Sequence, residues 1–150
     1  MNKEEKVDLN LLNSFLIENK EIDFRTADLL HPSNISQYKW AKFEEQKESL
    51  IDGLKAYQRM LRVVPEGRED LAQKLLEKGI KSSRQIANMP KETFIQNNLK
   101  LFDDKDDAAA RQLARRVYMN AVSLREAVIL QYITRAQQAE PHVRRKGLMR

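Results

Sequence analysis

Between Leu71 and Ile95 the stretch LAQKLLEKGIKSSRQIANMPKETFI packs three helix signals into 25 residues. A Leu-rich helix is predicted over Arg68–Lys78, with Leu71, Leu75 and Leu76 facing inward. Gly79 stands just past its end, where a left-handed backbone suits glycine. Ser82 is placed to cap a second, short helix carrying Ile86, Ala87 and Met89. Pro90 suits the first position of a third, where its missing N–H is not needed, and Glu92 follows in the first turn, where the helix dipole favours an acid. Ile80 is an apolar plug in the turn between the first two helices. This is a helix-hairpin-helix-like corner, and it requires longer helices to pack around it.

The flanking sequence supplies them. Val7–Lys20 reads as a helix through Val7, Leu11, Leu12, Phe15 and Leu16, with Asp8 or Asn10 as its cap. Residues 21–35 lose that period and form an irregular anchor, in which Phe24, Leu29 and Leu30 are expected to enter the core. Thr26 is expected to cap a short turn, ADLL, that stops before His31-Pro32, because a residue preceding proline avoids the helical region. From Ser36 to Val64, Trp40, Phe43, Leu50, Ile51, Leu54, Tyr57, Leu61 and Val64 fall on one stripe. The wholly polar EEQKES within it predicts a break, making this one long helix or two. Gly53 is placed for the close approach of another helix, and Pro65 and Gly67 end the element. Leu99, Leu101 and Phe102 extend the hairpin unit's apolar set. Asp103, Asp104, Asp106 and Asp107 form an acidic start to a last helix over 107–139. Its stripe Leu113, Val117, Ala121, Leu124, Val128 and Tyr132 predicts core packing over the first two-thirds, before TRAQQAE turns polar.

The expectation is therefore an all-α fold of five to seven helices in one domain, 1–140, followed by a basic tail, 141–150. Within the domain run an N-terminal helix (1–20), the irregular anchor (21–35), the long or split helix (36–64), the hairpin unit (68–102) and the long helix (107–139). Only four Gly and four Pro interrupt the chain, which favours helix.

There is no cysteine, so disulfides, zinc–thiolate sites, iron–sulfur clusters and thiol catalysis are excluded. No apolar run approaches the ~20 residues of a membrane span. The opening MNKEEKVDLN has no signal-peptide core, so synthesis in the cytoplasm without a signal peptide is expected. Charge is uneven. Residues 1–75 hold 12 Lys/Arg against 14 Asp/Glu, and residues 76–150 hold 15 against 8. A basic second half suits an anionic partner or a solvated helical face.

Motifs that would carry chemistry are missing. Counted as a calcium loop from Asp103, position six is Ala108 and position twelve is Ala114, where a Gly and a bidentate Glu are needed. His31 and His142 are the only histidines. Neither has a partner at a spacing that suggests a triad, and His31 reads as a turn residue bonded to backbone. P-loop, GxGxxG and HExxH patterns do not occur. Asn34-Ile35-Ser36 matches a glycosylation sequon without a secretion signal beside it. No catalytic, cofactor or metal residue is assigned, and no enzyme activity or cofactor is expected.

Two binding readings remain. Helix-hairpin-helix units bind DNA phosphates through Gly-rich turns with bare N–H groups. Here Lys81, Ser83 and Arg84 are the candidate phosphate contacts, but the turn KGIKSS has one Gly, and the acids after Leu101 would repel a phosphate backbone. Nucleic acid is the weaker reading. Arg144, Arg145 and Lys146 in the tail are the candidate contacts for a protein partner.

In order, IDFRTADLL, LKAYQRMLRVVP, LLEKGIKSSRQIANMPKETFI and the Ala/Arg-rich helix with Tyr118 resemble the N-terminal helical region of the A components of insecticidal toxin complexes. Salmonella virulence plasmid A-like and neuraminidase-like bacterial proteins look similar. The resemblance covers about Ile22 to Tyr132. It implies a helical module of the outer body of a toxin or injection-type assembly, with a protein partner and with export as part of that assembly. It implies no catalytic residue here. The channel-forming and receptor-binding parts of such proteins have no counterpart in these 150 residues.

Overall fold

A computed structural model of the chain describes residues 7–102 and 106–139. Among them run seven α-helices and no strand: α1 (Leu9–Glu18), α2 (Pro32–Ile35), α3 (Lys47–Leu61), α4 (Glu69–Glu77), α5 (Ser83–Ala87), α6 (Lys91–Asn97) and α7 (Asp107–Ala139). The all-α expectation holds, but residues 36–43 are not helical, and the polar EEQKES opens a helix instead of breaking one. A 3-10 turn at Glu44–Gln46 precedes α3, which starts at Lys47 instead of Ser36.

α1 begins at Leu9 because the Asp8 carboxylate accepts the N–H of Leu11. It is shorter than Val7–Lys20 because Asn19 stops it. The buried Asn19 side chain donates to the Phe15 carbonyl at 3.0 Å and accepts the N–H of Lys39 at 2.8 Å. Asn98 ends α6 in the same way, donating to the Phe94 carbonyl at 2.9 Å. In both cases the carbonyl that accepts the asparagine's backbone N–H accepts its buried side-chain amide as well.

Phe15 is the centre of the first half of the core. Phe24, Tyr38, Trp40 and Phe43 surround it, with ring centroids 4.7–6.4 Å away. All four lie in irregular chain between α1 and α3, so this segment owes its order to aromatic packing, not to a ladder. The Trp40 indole N–H donates to the Ile35 carbonyl, and Lys47 lies 5.1 Å over its ring. Gln58 of α3 ties the segment down by donating to the carbonyls of Phe24 and Ala27 at 2.8 and 2.7 Å. Arg25 donates to the Leu61 carbonyl at the end of the same helix.

The anchor differs from expectation in three details. Leu30 does not enter the core; it is 81% exposed, while Phe24 and Leu29 are buried. ADLL forms no helical turn, since the Thr26 hydroxyl bonds back to the Asp23 carbonyl and Asp28 organises the residues after it. The Asp28 carboxylate accepts from the Leu30 N–H and the Asn34 amide and pairs with the His31 ring. The His31 bond first, and then the Leu30 N–H, hold its carboxyl below the ordinary carboxylate value. The His31 ring thus engages a side chain, not backbone as expected.

The corner behaves as its sequence dictates. Gly79 has φ +86°. Its N–H bonds the Leu76 carbonyl at 2.9 Å and that of Ile80 bonds Leu75 at 3.0 Å, the paired bonds of a Schellman motif. Ile80 is buried beneath it. The Ser82 hydroxyl caps α5 by accepting the Gln85 N–H. Pro90 falls one position earlier than expected, as the residue that caps α6, with extended φ and ψ. Gly53 is crowded as expected, though by the residue leading into α1 and not by a helix: a Cβ there would stand 3.3 Å from Val7 Cγ1.

Candidate functional site

α7 is 33 residues long, roughly 50 Å at 1.5 Å per residue. Its inner part belongs to the core. Asp106 caps it by accepting the Ala109 N–H at 2.7 Å. Ala110, Ala114, Val117 and Ala121 are buried at four- and three-residue steps, and these small side chains let α5 and α6 lie close against it. Three polar side chains then tie α7 to backbone carbonyls of the corner and of the loop after α3. The Tyr118 hydroxyl donates to Met89 at 2.7 Å and the Asn120 amide to Val63 at 2.9 Å. Arg125 reaches the Ala87 carbonyl and the Asn88 side chain at the end of α5, where a cation complements the helix dipole.

Among the described residues, Arg125 is the last of α7 to hold the body. From Glu126 to Gln138 every residue is exposed. The expected core stripe therefore stops about two turns short of Tyr132. Val128 and Tyr132, placed in the core by periodicity, are 63% and 73% exposed. Ile129, Leu130 and Ile133 are exposed beside them. At about 100° per residue these five side chains cover an arc of about 200°. Gln131, Thr134 and Arg135 occupy the remainder. A helix that packs on one neighbour needs an apolar stripe of about 100°, so the outer half offers more apolar surface than one flat contact covers.

The predicted nucleic-acid contacts lie together in the turn before α5, but the turn uses its own polar groups. Gln85 accepts the Lys81 N–H at 2.7 Å and donates to the Gly79 carbonyl at 3.2 Å. The Lys81 carbonyl accepts from Arg59 at 2.9 Å. Ser83 is the first residue of α5 and half-buried, and Arg84 is exposed. Arg144, Arg145 and Lys146 lie outside the described residues, as do Asp103 and Asp104 of the acidic run. No cluster of three or more His, Asp or Glu that could hold a metal ion occurs among the described residues. None of the described helices is long and apolar enough to cross a membrane.

No protein-family model, curated protein or solved structure matches the chain.

The exposed patch was signalled by Val128-Ile129-Leu130, three consecutive apolar residues that point around most of a helix. On a helix that packs by one face, such a run spreads apolar surface beyond the stripe that face can bury. The four-and-three stripe through Val128 passes over Ile129 and Leu130 and so does not register the run.

Proposed function

We propose that the protein is a non-enzymatic interaction module of a bacterial toxin or injection-type complex, docking through the outer half of α7. The observation that carries this reading is the exposure of Val128, Ile129, Leu130, Tyr132 and Ile133 on a helix held rigidly only as far as Arg125. A single soluble domain rarely leaves such a contiguous apolar surface uncovered. An apolar arc of this width suits a groove that wraps the helix, the mode in which amphipathic helices insert side chains at i, i+4 and neighbouring positions. The toxin setting, and export with the assembly, rest on the sequence resemblance. The tail residues Arg144, Arg145 and Lys146 would add an electrostatic contact beyond the groove.

The test is calorimetric binding to the product of a neighbouring gene. Val128→Asp and Tyr132→Asp should each weaken binding by tenfold or more, about 1.4 kcal/mol, and leave the melting curve unchanged. Unchanged affinity in both variants sinks the docking site. Removal of residues 141–150 is the separate test of the tail.

Nucleic-acid binding through Lys81, Ser83 and Arg84 has less to support it, because the N–H that a phosphate would need at Lys81 is engaged by Gln85. It predicts affinity that falls steeply with salt, and a flat mobility shift at low salt would end it.

A further inference from the structure

We propose that a second surface, the groove between the start of α4 and the inner half of α7, binds an acidic amphipathic segment of a partner protein. It goes beyond the docking of the outer half, since it uses a different stretch of α7. The groove encloses about 580 Å³. Ala109, Leu113 and Met119 give it an apolar lining, and Arg68, Arg115 and Arg116 a cationic one. Met119 is 46% exposed there. Successive helical residues diverge by about 100°, so Arg115 and Arg116 splay apart, and Met119, one turn on, falls between them.

The charge is unbalanced in one direction. From Ala108 to Arg125 the helix carries four arginines and no acid. Arg111 pairs with Asp107 and Arg68 with Asp70. Arg115 and Arg116 are exposed and form no ion pair among the described residues. Two guanidinium groups flanking a thioether match a segment with an apolar side chain between two carboxylates, each accepting a bidentate pair of N–H bonds. Nucleic acid fits less well. The lining has no aromatic ring on which a base could stack.

The test is selection of a randomised display-peptide library on the full-length protein, with affinities measured by fluorescence anisotropy. Selected peptides should be enriched in Asp and Glu around apolar residues. Arg115→Glu/Arg116→Glu should weaken them about tenfold or more, as should raising the salt concentration, and Tyr132→Asp should leave them unaffected. Arg115→Gln/Arg116→Gln, which should weaken them less but in the same direction, replaces the reversal if that variant melts early. Peptides that depend on Tyr132 and not on the arginines overturn the groove and leave the outer-half docking standing. An enrichment without acids, or no enrichment at all, overturns the groove. So does tighter, arginine-dependent binding of a single-stranded or duplex DNA oligonucleotide, which would make the surface a phosphate site.

Discussion

At Gly79 the backbone turns to φ +86°, and beyond its own chain neighbours no atom lies within 4 Å of where a Cβ would stand. Any cost of a side chain there is backbone strain alone. Gly79→Ala should destabilise by about 1 kcal/mol and Gly79→Val by about 2 kcal/mol. Urea unfolding followed by the emission of Trp40, the one tryptophan, checks this. Equal midpoints for Gly79→Val and the parent would refute the left-handed turn. Asp28 and Asp70 make a pH prediction. Both carboxyls sit below the ordinary value of 3.8, Asp28 through the His31 hydrogen bond first and Asp70 through the Arg68 one. A lowered carboxyl pKa means that the folded state holds protons less tightly than the unfolded chain. The stability they contribute is full above the unfolded value and is lost as pH falls through the lower folded values. Unfolding midpoints should therefore change little from pH 7 to 5 on their account and fall below about pH 4. Asp28→Asn/Asp70→Asn should flatten that acid slope; an unaltered slope would show that other carboxylates carry it.

At the scale of elements, α7 shows how one helix serves two purposes. Its inner half is gripped through small buried side chains and through Tyr118, Asn120 and Arg125, each bonded to a carbonyl elsewhere in the chain. Tyr118→Phe leaves the Met89 carbonyl without that donor and should cost about 1–2 kcal/mol. Ala114→Leu, at a fully buried position, should cost about 1–3 kcal/mol by forcing α7 away from its neighbours. Val128→Asp, on the outer half, should stay within about 0.5 kcal/mol of the parent. Thermal melts of the three variants would order them, and a large loss at Val128 would mean that the outer half is covered within the protein. Several helix starts and stops have a chemical cause legible in the sequence: Asp8, Ser82, Asp106 and Gly79 all sit where the structure uses them. Asn19 and Asn98 were not readable as helix ends. An asparagine becomes a stop only when burial forces its amide onto a carbonyl, and burial is a property of the fold.

Across the molecule, stability should divide along α7. In the outer stretch Glu126–Gln138 every residue is exposed, so tertiary packing lends it little stability, and its length is about that at which isolated helices are marginal in water. Backbone amides from Ala110 to Ala121 should be strongly protected from hydrogen exchange, and those from Val128 to Ile133 weakly. Partner binding should raise protection in the second group. Equal protection of both stretches in the free protein would contradict an uncovered outer half. The anchoring segment before α3 should unfold together with α1, because Phe15 joins them. Phe15→Ala should cost about 3–5 kcal/mol and shift the Trp40 emission as well as the midpoint.

By itself the sequence determined the elements. Apolar spacing placed α1, α3, α4 and α7, and Gly79 and Ser82 set the corner, because these are local demands of backbone geometry and hydrogen bonding; residues 36–43 carry the same spacing yet are irregular, since Trp40 and Phe43 pack on Phe15. Only the tertiary structure decided where burial ends. Val128 and Tyr132 lie in register with Val117 and Ala121, yet the body of the protein reaches no further than Arg125, so one continuous stripe is core at one end and exposed surface at the other. Periodicity sets the face on which a residue lies; whether anything stands opposite that face depends on how far the other helices extend.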